Sequence, residues 1–291
     1  MARVRMGHRT PDARRHLPAA SCILHPASCV LPRHVGAAIL CTLLIVSGAH
    51  EGWAFGFSVE PARVQVSVPP GKRRGQTLTV RNAKADAAVH LTAYVRDVIY
   101  KPDGSLEFPP PKSTEWSCAD WIQVIPSELE IPPKSSREVR VSISAPSDAQ
   151  GGRYAVIFFE TGPSLAEKDS ITVSFRVGAV VETIVRGTER IGASLKGMAF
   201  VAEPQAIRVD VFNDGNVLVR PRGQVRVFDA NGKRLRQVEL NSQQLGVLPR
   251  TLRSFSTELK EPLPAGLYRV RAEVDYGVRT VLVGEHAFEV K

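Results

Sequence analysis

From Phe57 to the end, the chain alternates apolar and polar residues at a period of two, and proline- and glycine-rich turns interrupt the alternation. Runs such as "FSVEPARVQVSV" (57–68), "AVHLTAYVRDVIY" (88–100), "REVRVSIS" (137–144) and "YAVIFFE" (154–160) carry it. "PPGKRRG", "KPDGS", "IPPKSS" and "SDAQGG" lie between and around them and supply turn chemistry. A period of two places successive side chains on opposite faces of a strand, and no window of helical length carries an apolar face at a 3.6-residue period. These features predict an all-β protein built of sandwiches.

The pattern occurs twice. "LTVRNAKADAAVHLTAYVRDVIYKPDGSL" (78–106) matches "VDVFNDGNVLVRPRGQVRVFDANGKRL" (209–235), each with a strand ending in Val-x-Asn at Asn82 or Asn213. "LEIPPKSSREVRVSISAPSDAQGGRYAVIFF" (129–159) matches "LGVLPRTLRSFSTELKEPLPAGLYRVRAEV" (245–274), with Tyr154 and Tyr268 in corresponding places. The expected fold is therefore two immunoglobulin-like β-sandwich domains in tandem, 55–187 and 188–291, after an N-terminal segment. Asp103-Gly104 and Asn231-Gly232 read as hairpin turns. The first copy alone has an insert, "FPPPKSTEWSCAD" (108–120), whose successive prolines cannot serve as ladder donors. This insert is expected to cross from one sheet to the other.

One run is too long for an ordinary strand. "ITVSFRVGAVVETIVRG" (171–187) predicts a strand over 171–185, on the order of 50 Å at the usual rise, against a common length of about 5–6 residues. Such a strand needs a partner along its whole length, inside or outside the chain.

Residues 1–54 read as a secretory signal with a long basic leader. Arginines from Arg3 to Arg33 precede the apolar segment "VGAAILCTLLIVSGA" (35–49), and small residues follow. The apolar run falls short of the roughly 20 residues of a spanning helix. Membrane association is expected only if this segment stays uncleaved. The leader, with six Arg against Asp12 and Glu51, carries +4 of the net charge of +9, and the remaining +5 is modest and scattered, which argues against nucleic-acid binding.

Of the four cysteines only Cys118 lies beyond the leader, and of the seven histidines only His90 and His286. No disulfide within residues 55–291 and no zinc site of Cys/His type can be assembled from that inventory. Cys118 is expected as a small buried residue beside Trp116 and Trp121. A nucleophilic triad lacks its base, no Walker-type loop is present, and Glu128 and Glu130 read as a solvated strand face. No catalytic residue, metal, cofactor or small-molecule substrate is expected.

The order of "FSVEPARVQVSV", "TLTVRN", "WIQVIPSELEIPPKSSREVRV" and the strand 171–186 resembles the periplasmic pilus-assembly chaperones of the PapD type. The whole chain beyond the leader is similar to a broader branch of exported two-domain proteins with PapD-like folds, and in layout to the WxL-interacting proteins. The resemblance implies a chaperone in the periplasm or cell envelope of a bacterium. It would hold a protein client, a surface or pilus-like subunit, by adding strand 171–185 to it. The implied partner-binding residues are Val173, Phe175, Val177 and Ala179 on the strand, with Arg63 as one cation for the client's terminal carboxylate. The second cation of that family falls on Gly178 here, leaving Arg176 as the available substitute. A structural or adhesive module of the envelope, making contact through loops such as 109–116, stays open as the other class.

Overall fold

A computed structural model describes residues 3–8, 56–162 and 173–291, the first of these as backbone. Alternation in sequence becomes alternation in burial. In one strand Val139, Val141 and Ile143 are at most 1% exposed, while Glu138 and Arg140, which flank Val139, face solvent.

In chain order, β1 is Arg3–His8. The first sandwich contains β2 (Phe57–Glu60), β3 (Arg63–Val68), β4 (Arg73–Asn82), β5 (Val89–Arg96), the short hairpin β6 (Ile99–Tyr100) and β7 (Leu106–Glu107), β8 (Ile122–Ile125), β9 (Glu128–Ile131), β10 (Ser136–Ser144), β11 (Gly152–Thr161) and β12 (Arg176–Val185). Its two sheets run β2-β4-β10-β8 and β3-β12-β11-β5-β9. The second sandwich contains β13 (Ser194–Val201), β14 (Ala206–Phe212), β15 (Arg222–Asp229), β16 (Arg234–Leu240), β17 (Leu252–Glu258), β18 (Gly266–Asp275) and β19 (Thr280–Val290). Its sheets run β13-β14-β17 and β1-β19-β18-β15-β16.

Each sandwich has its own core. One apolar cluster runs from Phe57 to Val185 and includes the fully buried Leu78, Ile131 and Phe159. The other runs from Ala193 to Val290 and includes Ile207, Leu240 and Val270. Gly104 and Gly232 turn their hairpins with φ of 91° and 81°, a region open to glycine. The insert leaves the sheet of β5 and enters the sheet of β8, so it crosses the sandwich. Asp97, wholly buried, anchors it by accepting hydrogen bonds from Thr114 N at 3.0 Å and Ser117 Oγ at 2.5 Å. Cys118 is 1% exposed and packs with Ala119 and Ala155 against Trp121.

Two single runs of alternation prove to be two strands each. The run 57–68 divides at Pro61: β2 pairs with β4 in one sheet, and β3 pairs in parallel with β12 in the other. The run after Trp121 divides at Pro126 in the same way, giving β8 and β9. Proline carries no backbone donor, so the ladder breaks there and the chain changes sheets.

The expected strand 171–185 is also shorter than its alternation. Residues 173–175 lie outside the strand, β12 begins at Arg176, and 171 and 172 are outside the described residues. So is the leader, apart from Arg3–His8, which pairs antiparallel with β19. Among the described residues no helix is long and apolar enough to cross a membrane.

A third apolar cluster joins the sandwiches. Val156 and Phe158 of β11 pack with Leu248 of the second sandwich, and Leu218 lies against them. Tyr154, 2% exposed, accepts a hydrogen bond from Leu218 N at 2.5 Å. Asn216 completes the seam: its carbonyl accepts from Gly152 N at 2.7 Å and its Nδ2 donates to Thr188 O at 2.9 Å.

Candidate functional site: a strand edge open on one side

β12 has different neighbours on its two edges. Along its length it pairs antiparallel with β11, from Arg176↔Glu160 to Ile184↔Gly152. On the other edge β3 pairs with it only from Val180↔Arg63 to Val185↔Val68. Upstream of Arg63 the chain has left for the opposite sheet at Pro61. From Arg176 to Ala179 the outer edge of β12 therefore faces no described strand. Val180 N donates across that edge to Ala62 O at 3.0 Å. Backbone groups alternate along a strand, so those of Arg176 and Gly178 point the same way.

The odd-numbered side chains run from solvent into the core. Val173 and Phe175 are 49% and 42% exposed, Val177 is half-buried, and Ala179 and Val181 are fully buried. Ala179 is thereby corrected: its side chain belongs to the core and is not available to a partner. Phe175 is held to β11 by its N–H, which donates to Thr161 Oγ1 at 3.0 Å, and by its carbonyl, which accepts from Thr161 N at 3.0 Å.

The even-numbered face is covered differently. The Arg176 guanidinium lies over the Phe158 ring at 4.4 Å and near Phe108 at 6.0 Å, and its Nη1 donates to Tyr94 Oη at 3.3 Å. Tyr94 in turn donates to Glu160, and burial, then that bond, raise its pKa. Phe108 meets Phe158 edge-on at 4.9 Å, so the insert covers this face of the sheet and leaves the edge of β12 open. Gly178 lies under the same ring. A Cβ there would sit 2.8 Å from both Phe158 Cε1 and Val156 Cγ1, so this position cannot carry a lysine without displacing the aromatic.

Arg63 lies at the end of the open edge, with 53% of its side chain exposed. Its Nε pairs with Glu182 Oε1 at 3.3 Å. Glu182 is 5% exposed; it also accepts from Gln65 Nε2 at 2.9 Å and pairs with Arg220 of the second sandwich. The structure therefore does not give Arg63 and Arg176 a common partner: one is bound to a carboxylate, the other to aromatic rings and a phenol. Glu182 and Arg220 escaped the sequence reading. The one available signal was a carboxylate inside "AVVETIV", where the surrounding residues are apolar or small.

These features describe a tandem of two β-sandwiches in which, among the described residues, β12 is paired along only part of one edge. Fimbrial chaperones are among the chain's fold neighbours. The class 5 fimbriae chaperone CfaA matches at 14% identity and a TM-score of 0.44, over 78% of this chain and 97% of the other. SafB, solved in complex with the SafA pilin of Salmonella enterica, belongs to a structure matching at 13% identity and a TM-score of 0.43, over 81% and 96%. The E. coli chaperone DraB matches at 15% identity and a TM-score of 0.42, over 81% and 97%. No protein-family model matches the chain, and no curated protein matches it in sequence.

Proposed function

We propose that the chain is a non-enzymatic, exported chaperone or assembly factor. In this reading it holds a protein client, a surface or pilus-like subunit, by β-strand addition, with domains at 55–187 and 188–291. The observation that supports it is the one-sided pairing of β12. An open edge is a template for another strand, and proteins ordinarily blunt such edges with charge, proline or a covering loop. Here two exposed apolar side chains, Val173 and Phe175, border the edge. The binding segment is narrower than the alternation suggested: it is 173–179, because 180–185 is enclosed between β11 and β3.

A client strand would lie in line with β3 and take up the backbone groups of Arg176 and Gly178. Its apolar side chains would meet Val173, Phe175 and Val177. Arg63, half exposed where β3 begins, is the group in reach of a client carboxylate, in competition with Glu182. The face of the sheet held by Arg176 and Phe158 stiffens the strand that is offered.

The test is a pulldown of the protein from its own envelope, with mass spectrometry, beside a Phe175→Asp form shown to be folded. Recovery of a small β protein by the wild type alone supports strand addition. Equal recovery by both forms, or by neither, would sink it in favour of a structural or adhesive envelope module.

A further inference from the structure

The two copies of the sandwich differ in one sheet. In the first, β10 is filled on both edges, by β4 and by β8, the latter from Arg140↔Ile125 to Ile143↔Ile122. The repeat sets β17 in the place of β10, so that Arg140 and Ser142 correspond to Ser256 and Glu258. Among the described residues β17 pairs with β14 alone. The residues at β8's place in the repeat, from Val238 onward, belong to β16 and pair with β15 in the opposite sheet. A strand present in one copy has no described counterpart in the other.

That edge has rungs without a described partner strand. Leu259 N donates to Gln205 O and Asn213 N to Thr251 O, so the odd-numbered residues of β17 face β14 and the even-numbered ones face away. Ser254 N already donates outward to Pro102 O at 3.0 Å, from the β6–β7 hairpin. Ser256 and Glu258 are the next two rungs, so a strand entering there would continue a contact the chain has begun.

Beside those rungs runs a groove of about 730 Å³, lined by Leu245 and Phe255. It continues into one of about 680 Å³, lined by Leu235 and Val238, and the two share Glu239, Ser242, Thr257 and Glu258. The rim is acidic. Glu239 and Glu258 line it without an ion pair to a described residue, against Lys260 as the cation similarly placed, while Asp103 lies within electrostatic reach of Lys101 and Arg253. Of the other cations, Arg236 is bound to Glu261 at 2.9 Å, and Arg253 is buried, with its guanidinium over Tyr100 and Phe255.

We propose that β17 is a second strand-accepting edge, which takes an extended polypeptide of alternating apolar and basic residues into the second sandwich's counterpart of the β8 slot. Apolar side chains would cover Leu235 and Val238, half-buried, and the exposed Leu245, and the basic ones would face the acidic rim.

The probe is a capped heptapeptide alternating Lys and Val, titrated into the full chain by fluorescence anisotropy. Ser256→Pro removes a donor that faces away from β14, a place where an edge strand tolerates proline. This variant should keep the fold and weaken binding about tenfold or more, as expected for a lost backbone rung and a steric block. Phe175→Asp should bind as the wild type does, which separates this edge from that of β12. A Glu/Val heptapeptide should bind about tenfold more weakly than the Lys/Val one. In the wild type the Lys/Val peptide should slow amide exchange at Ser256 and Glu258. Absence of binding, equal binding by Ser256→Pro, loss of binding in Phe175→Asp, or equal binding of the Glu/Val peptide would overturn the proposal.

Discussion

Asn82 and Asn213 do the same work in the two sandwiches. Each is wholly buried. Asn82 Nδ2 donates to Ala87 O at 2.8 Å and Ile131 O at 3.0 Å, and its Oδ1 accepts from Lys84 N at 2.9 Å. Asn213 Nδ2 donates to Val217 O at 2.8 Å and Val247 O at 2.9 Å, and its Oδ1 accepts from Gly215 N at 3.0 Å. Ile131 and Val247 are themselves equivalent in the repeat. Replacing either asparagine by alanine strands buried backbone groups, and each change is expected to cost about 1–3 kcal/mol. Urea unfolding measures it; a loss at one site only would show that the copies do not share the device.

Glu182 gives an unequal set of expectations. It is nearly buried and joins Arg63 and Gln65 of the first sandwich to Arg220 of the second. Breaking a buried pair by removing one member costs roughly 3–5 kcal/mol. Arg63 is 53% exposed and stays solvated, so Glu182→Ala should cost roughly 2–4 kcal/mol. Arg63→Ala should cost less than about 1 kcal/mol, as exposed pairs do. A larger loss for Arg63→Ala than for Glu182→Ala would refute this ordering.

Gly178→Lys puts a side chain at a position already filled by Phe158 and Val156. Overpacking of this kind should cost about 1–3 kcal/mol. In a cycle with Phe158→Ala, the double variant should lose less than the sum of the single losses, by about 1 kcal/mol or more. Additive losses would mean that the ring is not what excludes a side chain at 178.

Alkaline pH should unfold the protein early. Burial pushes the Cys118 thiol up to about 12, and it raises Tyr154 as well. Both groups are neutral in the fold and lose their protons at lower pH in the unfolded chain. Their contribution to stability is therefore fully present below about pH 8.5, the ordinary thiol value. It falls as pH rises toward 12. Circular dichroism melts across that window should show the decline. Cys118 should also resist a thiol reagent at pH 8 until the chain unfolds; rapid labelling of the native protein would contradict its burial.

Much of the architecture was legible in local pattern. The period of two gave the strands, and the Val-x-Asn repeat anticipated the equivalence of Asn82 and Asn213. The Asp-Gly and Asn-Gly pairs marked hairpins, and Cys118 beside two tryptophans was read as buried. Less legible were the breaks at Pro61 and Pro126. At each the inward positions switch parity, from Phe57 and Val59 to Val64 and Val66 and from Ile122 and Val124 to Leu129 and Ile131, and such a phase slip beside a proline reads equally as a kink within one strand. Glu182 was missed because its partners lie far along the chain: Arg63 comes from a strand pairing in parallel, and Arg220 from the other sandwich.

The sequence by itself determined which face of each strand is buried, since that follows from side-chain polarity and spacing of two. Tertiary structure alone decided which edges are filled. Edge pairing is made by backbone N–H and C=O groups that every residue but proline possesses, so composition cannot say where a ladder stops. Among the described residues β12 lacks a second neighbour from Arg176 to Ala179 because β3 starts at Arg63, and β17 lacks one because the segment at β8's place in the repeat pairs with β15. Both facts depend on contacts between distant residues, and the two candidate binding edges exist only once those contacts have formed.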